Sequence, residues 1–129
     1  MTLEKRDPAI RTFMMPRDTN QLGSIFGGHI LSLIDLAAAH HARGVAPLRF
    51  VTKVMREVEF IAPVYVGDVV SFYAETIKTG KTSITIKVEV EALRADHKSG
   101  TVKVTEAEVV MVAVDERGVP IEIALYEKK

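Results

Sequence analysis

Residues 26–43, FGGHILSLIDLAAAHHAR, form the one strong helix pattern in the chain, and they limit what the rest can be. Ile30, Leu33, Ile34, Ala37, Ala38 and Ala42 recur at helical spacing, while Leu31, Leu36 and Ala39 cover much of the remaining surface. A helix that is apolar nearly all round is expected to be buried. The longest apolar run, about Ile30 to Ala39, is interrupted by Ser32 and Asp35 and is too short to span a bilayer. The partner that buries the helix must therefore be protein. At about 1.5 Å per residue the helix is ~27 Å long, enough to serve as the core of a curled sheet. Gly44 suits a left-handed stop just past it. Gly27 and Gly28 are costly in a first turn, so another reason for them is expected.

The remainder reads in period two. Residues 8–15 alternate loosely as an opening strand, and Pro16 with Arg17-Asp18-Thr19-Asn20 reads as a turn. After Pro47, residues 49–61 place Phe50, Val54, Val58 and Phe60 on one face. Residues 69–78 form a further strand, and residues 82–93 give the cleanest alternation, with Ile84, Ile86, Val88, Val90 and Ala92 against charged positions. Residues 101–114 form a last long strand whose end, VVMVAV, is apolar on both faces, as for a strand buried on both sides or lying at a subunit contact. The tail beyond Pro120 reads as weakly structured and polar from about residue 121. Without repeats or linkers, residues 1–129 read as one α+β domain.

Composition narrows the function. Lys+Arg and Asp+Glu are 17 each, so no basic face is expected for nucleic acid. No cysteine is present, which removes disulfides, a cysteine nucleophile and thiolate metal sites. His29, His40, His41 and His97 have no metal-ligand spacing, so no metal is expected. The serines offer no G-x-S-x-G elbow, so serine-esterase chemistry is not expected. The N-terminus carries no apolar leader pattern, and the expected location is the cytosol. With 47% hydrophobic residues and no net charge, the chain invites self-association.

Asp35 is the residue on which chemistry can turn. A carboxylate mid-way along an apolar helix must be paired, protonated or placed at a wet cleft, and His40 and Arg56 are candidate partners. Gly27-Gly28 at the helix start can leave free N–H groups facing a carbonyl oxygen. Asp35 lies about two turns on, so donors and carboxylate can share one cleft. Thr79-Gly80-Lys81-Thr82-Ser83 has Glu75 where a phosphate loop needs glycine, and a strand follows it. It is a hairpin turn whose amides and Lys81 could still meet a ligand phosphate. Residues 78–103 hold six Lys/Arg against three Asp/Glu, so a local basic patch is possible there.

These residues also carry a resemblance. Met15-Pro16-Arg17-Asp18-Thr19-Asn20, Gly23-Ser24-Ile25-Phe26-Gly27-Gly28 and Leu33-Ile34-Asp35 resemble the first block of the hotdog-fold acyl-CoA thioesterases. Phe60-Ile61-Ala62-Pro63-Val64 with Val66-Gly67-Asp68-Val69-Val70 resembles the second, and Gly80-Lys81-Thr82-Ser83-Ile84 the third, together covering about residues 11–121. The resemblance implies a long helix wrapped by an antiparallel sheet of about five strands. It implies hydrolysis of acyl-CoA to a free acid and coenzyme A, with coenzyme A as part of the substrate and no separate cofactor. It further implies dimers whose sheets join edge to edge, commonly assembled to hexamers, with active sites between subunits.

The family's helix carboxylate falls on Asp35 and its helix-start glycines on Gly27 and Gly28. Its coenzyme A-contacting turn falls near Gly80, Lys81, Thr82 and Ser83, with Arg56 a further candidate contact. The chain departs from the family at Phe26, where many relatives have histidine, and also at Ser24 and His29. Asn20 or Ser24 is the candidate second polar contributor. The expected oxyanion donors are N–H groups near Gly28 and His29, with Asp35 of the partner subunit as general base or nucleophile. The rival readings are a hotdog dehydratase or hydratase, using His29 or His40 with Asp35, and a non-catalytic acyl-CoA-binding module.

Overall fold

The computed structural model describes residues 6–96 and 98–127; His97 lies outside them. One helix, α1 (Gly27–Val45), packs against a five-stranded antiparallel sheet. The strands are β1 (Ile10–Phe13), β2 (Arg49–Phe60), β3 (Val69–Thr79), β4 (Ser83–Leu93) and β5 (Thr101–Val114), in spatial order β1-β3-β4-β5-β2. A 3-10 turn, Pro16–Asp18, leads from β1 toward the helix.

Strands β4 and β5 follow their sequence pattern. Ile84, Ile86, Val88, Val90 and Ala92 of β4 are fully buried and face Ile30, Ile34, Ala37, Ala38 and Ala42 of the helix within one core. Burying an Ile or Val side chain stabilises by roughly 1.5–3 kcal/mol, and the alanines let the helix approach the sheet closely, so this layer dominates folding. The VVMVAV end of β5 is covered on both faces except at half-buried Val112.

Three expectations are corrected. The helix is not covered all round: Leu36 is 58% exposed, because the sheet wraps only one side of α1. Gly44 is no left-handed stop but lies inside the last turn. The helix ends because Pro47 forces the preceding Ala46 into extended backbone (φ −147°, ψ 136°). Strand β2 does not hold one apolar face, since its pairing with β5 shifts between Thr52 and Val54 and again between Arg56 and Glu59. Each shift disturbs the alternation, so Val54, Val58 and Phe60 remain exposed while Phe50 and Met55 pack on the core. The tail forms no helix or strand, as expected, but it is anchored to the sheet. Ile121 N–H donates to the Ala113 carbonyl, Ile123 N–H donates to that of Lys81, and the Ile123 side chain is fully buried.

Candidate active site

Asp35 sits just short of the midpoint of α1, half-buried on the side where β2 crosses. Neither His40 nor Arg56 is its partner. The hydroxyl of Thr52, on β2 just before the first register shift, donates to Asp35 Oδ1 at 2.5 Å. Arg56 instead stands 3.6 Å from Glu108, and His40 is exposed at the rim of a separate cavity with Asp7, His41 and Gly44. Nothing in the sequence singled out Thr52, because strand position and bulge placement together decide that its hydroxyl meets the helix.

The helix start is open. Phe26 occupies the N-cap position with no side-chain hydrogen bond, so the first-turn amides lack the usual cap. The His29 amide donates to the Phe26 carbonyl at 3.0 Å, which removes it as an oxyanion donor; the amides of Gly27 and Gly28 bond to none of the described residues. Close approach of a ring bears on Gly28 but not on Gly27, where a side chain would sit at ordinary contact distance. A Cβ on Gly28 would lie 2.5 Å from the Phe26 ring, and one on Gly27 would lie 3.4 Å from the ring of Phe60.

A cavity of about 320 Å³ opens at Gly28, lined also by Arg17, Asp18, Thr19, Phe26 and His29. Asp35 of the same chain is not among its walls. Seven residues separate it from Gly28, or ~10 Å along the helix axis. The expectation of one cleft within a single chain is thus corrected. The 3-10 turn is fixed beside the helix start by the Phe26 amide, which donates to the Asp18 carbonyl at 2.8 Å. This brings the Asp18 carboxylate to 3.6 Å from His29 Nε2, a pairing that sequence reading missed because eleven residues and a turn separate the two.

Asn20 and Ser24 are brought together but turned on each other. Asn20 Oδ1 accepts from the amides of Leu22 and Ser24 at 2.8 and 3.3 Å, and its amide nitrogen lies 3.2 Å from Ser24 Oγ. Both close the loop before the helix, and neither lines the Gly28 cavity.

The turn at residues 79–83 is the expected hairpin. Gly80 N–H donates to the Ser83 carbonyl at 2.7 Å, and Thr82 accepts from the Ala113 amide. Lys81 is largely exposed and 3.3 Å from Glu122 of the tail. Arg56 is not part of this group, for it pairs with Glu108, which pairs with Lys87, four positions along β4 from Ser83. At about 3.3 Å per residue that is ~13 Å. Among the described residues, no group of three or more His, Asp or Glu is placed to hold a metal ion.

Residues 22–96 match the thioesterase superfamily. The chain belongs to that superfamily. It is 47% identical to an uncharacterized acyl-CoA thioester hydrolase of Buchnera aphidicola, over 86% of this chain and 84% of that protein. Its fold is similar to that of a hexameric hotdog fold thioesterase of Campylobacter jejuni (TM-score 0.86, 44% identity, 92% of this chain and 90% of that one). It is similar also to a hexameric broad specificity acyl-coenzyme A thioesterase, solved as an aspartate-to-alanine variant (TM-score 0.88, 41% identity, 92% and 87% covered). The architecture expected from the resemblance, a helix wrapped by five antiparallel strands, is the one observed.

Proposed function

We propose that this thioesterase-superfamily member hydrolyses acyl-CoA to a free acid and coenzyme A. The observation that carries the reading is Asp35, a carboxylate on an otherwise apolar helix, oriented by Thr52 and half open to solvent. The similarity to acyl-CoA thioester hydrolases supports the substrate class.

In this reading the thioester carbonyl directs its oxygen at the Gly27 and Gly28 amides. Charge that develops on that oxygen meets preorganised donors, commonly the largest single catalytic term. A carboxylate ~10 Å further along the same helix cannot reach the carbonyl carbon through one water. The base or nucleophile is therefore Asp35 of the partner subunit, and the working unit is at least a dimer. The exposed apolar side chains Leu36, Val51, Val54 and Phe60, on α1 and the free edge strand β2, support association. Hexamers, as in the similar structures, are the assembly we propose. The turn at Gly80–Ser83, with Lys81, takes the phosphates of coenzyme A, and no separate cofactor enters. A cytosolic location completes the reading; among the described residues no helix is long and apolar enough to cross a membrane.

Release of free thiol from a panel of acyl-CoAs of different chain length tests this function. Steady turnover supports it, and no thiol release from any member of the panel contradicts it. Single-turnover hydrolysis in ¹⁸O-water bears on the two routes: label entering Asp35 marks it as nucleophile, and its absence counts against attack by the carboxylate.

A further inference from the structure

The cavity at Gly28 holds one titratable pair that the reaction above leaves unused. His29 follows Gly28 directly on α1, its side chain is 30% exposed, and its Nε2 faces Asp18 Oδ1 at 3.6 Å. Asp18 is itself fixed, since its other carboxylate oxygen accepts the Met15 amide at 2.9 Å. At 3.6 Å the carboxylate faces the imidazole without hydrogen-bonding it, and His29 lines the cavity, so a short ring movement brings the two into the pairing in which a carboxylate orients a proton-transferring histidine. Among the described residues, the charged groups lining the cavity with His29 are Asp18 and Arg17, both from the 3-10 turn.

The hydrolysis has a proton to place at this point. The carbonyl oxygen and the sulfur of a thioester share one carbon. A group beside the Gly28 amide that receives the oxygen is therefore also beside the sulfur. An alkyl thiol holds its proton up to about pH 8.5, so a thiolate leaving at neutral pH gains by being protonated as it departs.

We infer that His29, oriented by Asp18, is the proton donor to the departing sulfur, an inference that rests on the hydrolase reading above. Water adds to the carbonyl carbon while its proton passes to Asp35 of the partner subunit. The carbon–sulfur bond then breaks with its electron pair on sulfur, and the His29 imidazolium gives that sulfur its proton and becomes neutral imidazole. Asp35 returns its proton to solvent and His29 takes one from it, so the balance is thioester plus water to acid plus thiol.

The test compares acyl-CoA with the same acyl group on an aryl thiol, whose thiolate leaves without needing a proton. His29→Gln is expected to lower kcat on acyl-CoA by ~10–100-fold, the usual worth of a positioned acid, and to change the aryl thioester rate by less than about threefold. Asp18→Asn, which keeps an acceptor for the Met15 amide, should show the same pattern more weakly and stands in if His29→Gln unfolds. An unchanged rate on acyl-CoA, or equal losses on both substrates in a folded variant, overturns the inference. Asp35→Asn serves as the control on the underlying reading: it should lose both substrates, and if it keeps both, that reading fails independently of His29.

Discussion

The Thr52 hydroxyl donates a 2.5 Å hydrogen bond to the Asp35 carboxylate and so ties the middle of the helix to the edge strand of the sheet. Hydrogen bonds to charged groups contribute roughly 1.5–3 kcal/mol. Here the bond sets where the carboxylate points rather than how firmly the fold holds, because both side chains are accessible. Thr52→Val keeps the shape and removes the donor. Its expected effect is a loss of about tenfold or more in kcat with a small change in KM, measured by thiol release. A loss confined to KM would show that Thr52 touches substrate instead.

Asp68 and Arg94 make the most buried ion pair among the described residues. The Arg94 guanidinium donates to Asp68 Oδ2 at 2.6 Å, and the Tyr65 amide donates to the same oxygen at 2.9 Å. Their side chains are 3% and 12% exposed. Removing one member leaves the other charge buried and unpaired, which costs about 3–5 kcal/mol. Asp68→Ala should therefore lower the thermal midpoint by ~10 °C. A midpoint within a degree or two of the parent would contradict this.

His41 bears on acid stability. Burial against the sheet lowers its pKa below the usual 6.5, neighbouring His40 lowers it further, and Glu75 opposes both. Its Nε2 also meets the Thr76 hydroxyl at 2.8 Å. With the folded pKa below the unfolded one, the unfolded chain takes up the proton first as pH falls. The contribution is fully present above about pH 6.5 and is lost between there and the folded pKa. Urea unfolding across pH 5–7 should show a decline in stability that His41→Gln makes shallower. Parallel profiles for the two proteins would rule this out.

How much of this was legible in the sequence depends on how regular each segment is. Strand β4 alternates without interruption, so Ile84 to Ala92 could be read as the core directly, and the ends of β5 matched its pattern. On β2, two register shifts broke the same logic, and a residue count cannot reveal where a bulge falls. Ile123 was hidden because burial there depends on the tail returning to pair with Lys81 and Ala113. Asp35 stood out because its surroundings on the helix are apolar, a purely local contrast. Its partner Thr52 and the His29–Asp18 pair did not, since both arise only when distant segments meet.

Lys81 is the test of the coenzyme A turn. It is 78% exposed and its pairing with Glu122 is a surface one, worth at most about 1 kcal/mol and open to exchange for a phosphate. Lys81→Ala should raise KM for acyl-CoA by about fivefold at low salt, with the difference shrinking as salt is added. The same acyl group on pantetheine, which lacks the nucleotide phosphates, should show no change. An equal rise for both substrates would place Lys81 elsewhere in the site.

The central claim is that a carboxylate on the buried helix hydrolyses acyl-CoA, and Asp35→Asn tests it most directly. Asn preserves size and can still accept the Thr52 hydrogen bond, so circular dichroism and the thermal midpoint should match the parent. Thiol release from acyl-CoA under saturating conditions should fall by about a hundredfold or more, as expected for loss of a base or nucleophile. A folded Asp35→Asn protein that turns over acyl-CoA at near the parent rate would contradict the account.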